Sequence, residues 1–144
     1  MKQLLWIAAV VLYVLPTYAD NYRMMTVEQL PRNAQELLTA HFPDDRISYA
    51  ASDRNFLNRD YKVFFSDGGT IEFDRYGKWT EIDGSRRSVP DALIPDGILR
   101  VLRKRFSGDP IVKIERSRKG YDVELRSGME LKFNLHAELI EVDD

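Results

Sequence analysis

The 144-residue sequence contains no cysteine and only two histidines, and both shortages restrict what the protein can do. Without thiols there is no disulfide bond and no cysteine-ligated metal, so packing alone must hold the fold together. His41 and His136 lack metal-ligand spacing to each other. The sequence therefore indicates neither a metal site nor a bound cofactor.

Known catalytic and phosphate-binding motifs are also missing. The chain has no G-x-S-x-G elbow, no H-E-x-x-H, no P-loop and no G-x-G-x-x-G. The acidic residues Asp44, Asp45 and Asp67 fall in predicted turns, where aspartate commonly bonds the local backbone. The sequence thus predicts a protein that is not an enzyme.

One long apolar run is present, at the amino terminus. It extends from Leu4 to Leu15, follows Lys2, and precedes the small residues Thr17 and Ala19. This layout is typical of a secretory signal peptide, residues 1–19, with cleavage after Ala19. A retained membrane anchor is the alternative, but spanning a bilayer takes about 20 apolar residues. We expect a periplasmic or secreted protein with no stable membrane insertion after cleavage.

Basic residues are not in excess. Lysine and arginine number 21 against 23 acidic residues, and loss of Lys2 with the signal peptide leaves 20 against 23, a net charge of −3. Binding to a phosphate backbone requires a concentrated basic surface. The composition therefore argues against a nucleic-acid partner.

Two stretches of the remaining chain follow one pattern. "IEFDRYGKWTEID" covers 71–83, and "LKFNLHAELIEVD" covers 131–143. Earlier positions match at an offset of 64, as Leu38 with Leu102, and later ones at 60, as Phe73 with Phe133. The shift falls between positions 53 and 60, which we interpret as a longer polar loop. We predict a tandem repeat with units 26–83 and 94–143 and a connection at 84–93.

Each unit has the pattern of one helix followed by four strands. Leu30-Pro31 and Ile94-Pro95 are typical helix openings, each followed by apolar residues at helical spacing. Strand-like alternation and turn glycines follow in both units. Residues 20–25 are interpreted as a frayed start. The fold class predicted is α+β, with two helix-plus-four-strand repeats that join their sheets and share a core.

The alternation also predicts which side of the sheet each strand residue occupies. Tyr61, Val63, Phe65, Ile71 and Phe73 are expected to face the helices, together with Tyr121, Val123, Leu125, Met129, Leu131 and Phe133. Trp79 is expected in the core because its repeat counterpart is Leu139. The opposite side is predicted to be a broad surface of mixed charge.

That opposite side is the candidate binding surface, with a merely solvated face as the alternative. Aromatic residues in a polar rim often anchor a partner. The candidate contact residues are Phe64, an apolar pair in the polar loop, and charged residues of four strands: Phe56, Leu57, Lys62, Phe64, Glu72, Asp122, Glu124, Arg126 and Lys132.

The repeated pattern "LP…FP…I…Y-x-V-x-(F/L)-x-(D)G-x-x-(I/L)-x-F-D…G-x-W" resembles the PepSY-like, β-lactamase-inhibitor-like family of bacterial envelope proteins. The resemblance covers about Val27 to Asp143. It implies two α+β units whose strands form one curved antiparallel sheet with helices packed on one face. It also implies a protein partner, as for the inhibitor that binds β-lactamase through its sheet face and loops. The cysteine bridges of that inhibitor have no counterpart here.

The sequence therefore predicts an exported, non-enzymatic binding module for a protein or peptide of the cell envelope. One form of this hypothesis is a module that inhibits an envelope enzyme or peptidase. An envelope assembly or sensor component without inhibitory activity is the alternative. A small-molecule carrier is a third hypothesis. It would need an apolar cavity, for which short units with large core aromatics leave little room.

Overall fold

The computed structural model describes residues 22–55 and 58–144. The predicted signal peptide and the Phe56-Leu57 pair lie outside the described residues. The two α-helices are α1 (Arg32–His41) and α2 (Asp96–Arg105). The strands are β1 (Tyr22–Met25), β2 (Ile47–Asn55), β3 (Asn58–Phe65), β4 (Thr70–Phe73), β5 (Trp79–Asp83), β6 (Ile111–Arg116), β7 (Gly120–Leu125), β8 (Glu130–Asn134) and β9 (Leu139–Asp143). Short 3₁₀ turns, Val27–Gln29 and Asp91–Leu93, precede the helices.

All nine strands form one open antiparallel sheet in chain order. A single row of directly paired residues crosses the whole sheet: Met25, Ala50, Val63, Ile71, Ile82, Ile114, Val123, Leu131 and Val142. Because side chains alternate along a strand, this apolar row lies on one side and its neighbouring rows on the other. The predicted antiparallel sheet with two helices is confirmed.

One hydrophobic core joins the two helices to that side of the sheet. Ala34 and Leu38 of α1 and Ile98 and Leu102 of α2 belong to the same buried cluster as the seven inner residues of the apolar row, from Ala50 to Leu131. Each helix is preceded by a proline at its N-cap, Pro31 and Pro95, as the sequence indicated. Every strand residue predicted to face the helices is buried in this cluster or packs against it.

Two local predictions were wrong. Residues 22–25 are not frayed but form β1, whose Met25 is paired with Ala50 of β2 and packs against the core. The residues on either side of the Phe56-Leu57 pair do not form a polar loop, since β2 continues to Asn55 and β3 begins at Asn58. Both strands of this hairpin are longer than those of the β6–β7 hairpin, and the pairing between β2 and β3 stays in register from Tyr49 to Asn55.

Four β-bulges set which residues point into the core. They occur between Ile47 and Tyr49 in β2, at the same place in β6, and where β4 pairs with β5 and β8 with β9. A bulge adds one unpaired residue to a strand, so the residues beyond it lie on the opposite side of the sheet from the one that simple alternation predicts. Tyr49 consequently lies opposite Phe64, on the side away from the core. Trp79 faces the core and is 8% exposed, which confirms its predicted burial.

The turn after each helix is tied to a hairpin of the sheet, by different chemistry in the two halves. Asp45, after α1, and Asp67, in the β3–β4 turn, both pair with Arg87 of the connecting segment. Asp109, after α2, instead accepts hydrogen bonds from the hydroxyl and, at 3.1 Å, the backbone N–H of Ser127 in the β7–β8 turn. Hydrogen bonding to Asp45, followed by the attraction of both carboxylates, raises the pKa of Arg87 despite partial burial. Asp45 and Asp67 hold the positions that Asp109 and Ser127 hold in the second half. The positive charge of Arg87 compensates the repulsion between the two carboxylates.

Candidate binding face

The side of the sheet away from the core, called the open face below, has no helix packed on it in the described chain. Its central row runs parallel to the buried row and consists of Met24, Ala51, Lys62, Glu72, Glu81, Glu115, Asp122, Lys132 and Glu141. A second row contains Tyr49, Phe64, Thr70, Asp83, Lys113, Glu124, Glu130 and Asp143. The two rows present one broad, continuous surface.

Carboxylates outnumber lysines on this surface. Across the two rows, nine acidic side chains accompany three lysines, Lys62, Lys113 and Lys132. The sequence suggested a mixed charge because only four strands were considered; the rest add Glu81, Asp83, Lys113, Glu115, Glu141 and Asp143. The open face therefore creates a negative potential that favours a positively charged partner.

Each of the three lysines is already paired with one carboxylate. The Nζ–Oε distances are 3.0 Å for Lys62–Glu72, 3.4 Å for Lys113–Glu81 and 3.4 Å for Lys132–Glu141. Partly exposed pairs of this kind contribute about 0–1 kcal/mol each to stability. Glu115, Asp122, Glu124 and Glu130 form no ion pair with any other residue that the structure describes, so their charge faces solvent.

Proton affinities on the open face reflect this charge. Burial and then the negative charge of Glu72 raise the pKa of Glu81, although Lys113 opposes them. Burial disfavours the charged form of Lys62, but its hydrogen bond and attraction to Glu72 outweigh burial and raise the pKa. For Lys113, burial likewise lowers the pKa, while Glu81 and other acids raise it to a net increase. An additional cation near Glu81 would thus relieve repulsion.

An aromatic pair stands at one end of the open face. The rings of Tyr49 and Phe64 are stacked, with centroids 4.4 Å apart and planes 19° from parallel. The ammonium of Lys62 lies 5.4 Å from the Phe64 centroid. Met24, at the β1 end of the central row, is 71% exposed. Stacked aromatics beside an exposed apolar residue offer rigid contact area with little side-chain entropy to lose.

The structure brings together six of the nine residues predicted for binding. Lys62, Phe64, Glu72, Asp122, Glu124 and Lys132 all lie on the open face. Arg126 does not: it follows β7 and lines a cleft with Val89 and Pro110 of the connecting segments. Phe56 and Leu57 are outside the described residues.

Sequence reasoning missed Tyr49, Glu81 and Lys113. Simple alternation would place Tyr49 on the side of Ile47, and Glu81 on the side of Trp79, whereas the bulges reverse both. The bulge in β6 likewise places Lys113 on the open face, whereas simple alternation would put it on the side of Ile111. The only sign of the β6 bulge in the sequence is a pair of adjacent apolar residues, Ile111 and Val112, which interrupts the alternation at the start of the strand.

A shallow depression of about 260 Å³ lies in the acidic half of the open face. Charged residues of β6, β7 and β8 line it: Lys113, Glu115, Asp122, Glu124, Glu130 and Lys132. Within residues 22–55 and 58–144, no three histidine or acidic side chains converge in a metal-binding arrangement. The chemistry the surface offers is therefore charge and aromatic contact.

These features define the class of protein, an α+β domain with two helices on one side of a nine-stranded antiparallel sheet and the other side exposed. A family model described as "Putative beta-lactamase-inhibitor-like, PepSY-like" matches residues 59–141, and the chain belongs to this family. The resemblance found in the sequence is thus confirmed. Among curated proteins, none matches this chain.

Three solved Bacteroides structures are similar to the chain over nearly their whole length. One from Bacteroides thetaiotaomicron is 37% identical, with a TM-score of 0.84, and covers 88% of this chain and 99% of its own. Two from Bacteroides vulgatus are 34% and 32% identical, with TM-scores of 0.84 and 0.80; they cover 88% and 85% of this chain and 99% of their own. All three are described as putative periplasmic proteins, the first as calcium-regulated and the last as of unknown function. No helix in the described part of the chain is long and apolar enough to cross a membrane.

Replacing Asp60 with asparagine is expected to stabilise the fold slightly at neutral pH. Burial and the charges of Asp53, Asp74 and Glu72 raise the pKa of Asp60. Ionised Asp60 therefore opposes folding, a penalty that develops as the pH rises from the ordinary aspartate value, about 3.9, through the raised one. Because the side chain is largely exposed, we expect a gain of about 0.5 kcal/mol or less at pH 7.

Urea denaturation of both proteins at pH 7 and pH 3 measures this effect. The difference in stability between the two proteins should vanish at pH 3, where the Asp60 carboxyl of the wild type is neutral in both the folded and the unfolded state. A loss of stability at pH 7 in the asparagine variant would show instead that the carboxylate makes a favourable contact.

Proposed function

We propose that this chain is an exported, non-enzymatic periplasmic module that binds a protein or peptide through its open face. The observation that carries the proposal is the exposure of a sheet face across all nine strands, with an aromatic stack at one end and excess carboxylates at the other. An interface of standard size buries about 800 Å² on each partner, and a face of this breadth can supply that area. The periplasmic description of the structural neighbours supports this location.

The charge of the open face indicates the kind of partner. Nine carboxylates against three lysines favour a partner that presents lysine or arginine beside apolar side chains. Charge complementarity of this type mainly accelerates association and excludes wrong partners. The Tyr49–Phe64 pair would provide the apolar anchor, and the acidic rows would orient the bound surface.

The family description favours an inhibitory form of this function, in which the bound protein is an envelope enzyme or peptidase that the module restrains.

We also infer that cleavage after Ala19 releases the module and that its two halves arose by tandem duplication. The matched positions of the bulges and of the tied turns support the duplication. Calcium regulation, described for one neighbour, is not carried over, since the described residues supply no cluster of ligands.

The test compares two four-residue variants of residues 20–144. One replaces Phe64, Glu72, Glu124 and Lys132 of the open face by alanine. Its matched control replaces Glu36, Thr39, Arg100 and Lys104, which are exposed on the helices. All eight side chains are at least partly exposed, so seven of the substitutions should each change stability by roughly 0.5 kcal/mol or less. Phe64→Ala also removes the stack on Tyr49 and should cost about 1 kcal/mol. Circular dichroism melting checks this for both variants.

Wild type and variants are immobilised, exposed to an envelope extract of the source cell, and the captured protein is purified for direct measurement. We expect the open-face variant to bind it at least about tenfold more weakly, and the control to bind like wild type. Inhibition of the partner's activity would establish a restraining role, and binding without inhibition would favour assembly or sensing. Equal binding by wild type and the open-face variant would refute this surface as the site.

A further inference from the structure

β9 is the last strand of the sheet, and its outer edge pairs with no other strand in the described chain. Ile140 is 64% exposed and Val142 41% exposed, although Val142 ends the buried apolar row. A free edge with exposed apolar side chains is where an additional strand can bind through backbone hydrogen bonds.

The pairing of β5 with β6 shows what covers an edge of this kind. β5 and β9 correspond, because each follows a hairpin partner and each carries a bulge at the same point of that pairing. Ile82 of β5 holds the place of Val142, yet it is only 1% exposed. Ile114 of β6 lies directly opposite it. One neighbouring strand with an apolar residue at this position therefore contributes to the burial that β9 lacks.

β6 also supplies two cations to the acidic strand β5. Lys113 is paired in register with Asp83, and its Nζ lies 3.4 Å from a carboxylate oxygen of Glu81. Arg116 donates to the Trp79 carbonyl at 2.6 Å, and its guanidinium lies 4.6 Å from the indole centroid. β9 repeats the acids of β5, with Glu141 and Asp143 at the places of Glu81 and Asp83. Its edge is thus complementary to a strand that carries lysine and arginine.

We propose that the outer edge of β9 binds an extended segment of a partner protein as a tenth, antiparallel strand. The segment follows the pattern of β6, Lys-apolar-x-Arg, with the apolar residue opposite Val142 and the lysine beside Glu141 and Asp143. The edge shares Glu141 and Asp143 with the two rows of the open face. Its backbone hydrogen-bonding groups and Val142 belong to neither row, so the inference does not require those rows to bind a partner.

A second copy of the chain fits this edge poorly. The strand that corresponds to β6 is β2, where Tyr49, Ala50 and Ser52 replace Lys113, Ile114 and Arg116. Ala50 is small, none of these three residues is a cation, and β1 already covers that edge. Two β9 edges would bring Glu141 and Asp143 of each copy together, and like charges in paired strands repel. The occupant is therefore a different, basic protein segment.

The test uses a fluorescein-labelled peptide with the sequence of residues 109–117, DPIVKIERS, and the chain from Asp20 onward. Fluorescence anisotropy measures binding, and backbone amide NMR shifts locate it. We expect saturable binding with shifts centred on β9. A peptide with glutamate in place of Lys113 and Arg116 should bind at least about tenfold more weakly.

Val142→Lys in the protein should also weaken binding by about tenfold or more, because it puts a cation where the apolar residue docks. The control is Met24→Lys at the far edge, which should bind the peptide like wild type. Thermal melting verifies that both variants are folded. Three results would each overturn the proposal: no binding at 1 mM peptide, amide shifts centred on β5, or equal affinity for the Val142→Lys variant. A doubled mass in sedimentation that Val142→Lys abolishes would also overturn it, by assigning the edge to a second copy.

Discussion

Replacing Phe73 by alanine is expected to lower the free energy of unfolding by about 3–5 kcal/mol, the range for a large aromatic side chain removed from a core. Phe73 is fully buried and lies on β4 among residues of both helices and the sheet. Its neighbours are close-packed elements that cannot collapse fully into the space left behind. Urea denaturation followed by circular dichroism measures the loss.

Phe133→Ala is the matched substitution in the second half, since Phe133 is 1% exposed and belongs to the same cluster. We expect a loss of similar size, and one cooperative transition in both variants, because a single core joins the halves. Phe64→Ala is the control: the side chain lies on the open face, and its removal should cost about 1 kcal/mol. Two separate transitions would contradict the single core, and an equal loss for Phe64→Ala would contradict the assigned faces of β3.

Gly97→Ala is expected to destabilise the protein by about 1–3 kcal/mol even though alanine favours helices. A Cβ atom at Gly97, near the start of α2, would lie 2.7 Å from the Cβ of Ala137 in the β8–β9 turn. Carbon atoms in contact prefer about 3.5–4.0 Å, so helix and turn must move apart. Loss of their packing should lower the urea midpoint measurably.

The first half of the chain suggests how this clash is relieved. There the turn carries Gly77 and the helix carries Asn33, so the small residue is in the turn rather than in the helix. Ala137 has a φ of 59°, a conformation in which glycine is less strained. We therefore expect Gly97→Ala combined with Ala137→Gly to recover the loss, with a coupling energy of about 1–3 kcal/mol. Additive effects would show that the helix start and the turn do not constrain each other.

Much of the architecture was predictable because its signals are local. Pro31 and Pro95 mark the helix starts, apolar residues at helical spacing define the helix faces, and glycine turns separate alternating strands. Every helix-facing residue assigned by alternation belongs to the core or packs against it. The Phe64 and Lys62 side of β3 was identified for the same reason.

Two of the three wrong predictions concern pairing between strands, which the pattern of one segment does not show, and the third concerns where a strand ends. Residues 22–25 lack a strong strand pattern, and they form β1 because β2 offers a free edge and the core can accept Met25. The extension of β2 and β3 depends on cross-strand pairing within the hairpin. Arg126 was assigned by continuing the alternation of β7 past its end at Leu125.

For the candidate surfaces, local sequence specifies the residue types, and long-range pairing specifies which of them meet. Alternation was sufficient to put Lys62, Phe64, Glu72, Asp122, Glu124 and Lys132 on one side of the sheet, since period-2 geometry belongs to each strand separately. The stacking of Tyr49 on Phe64, the excess of carboxylates and the exposed edge of β9 arise from bulges, register and strand order. Those features depend on how nine strands pack against a shared core, and a short stretch of sequence does not contain that information.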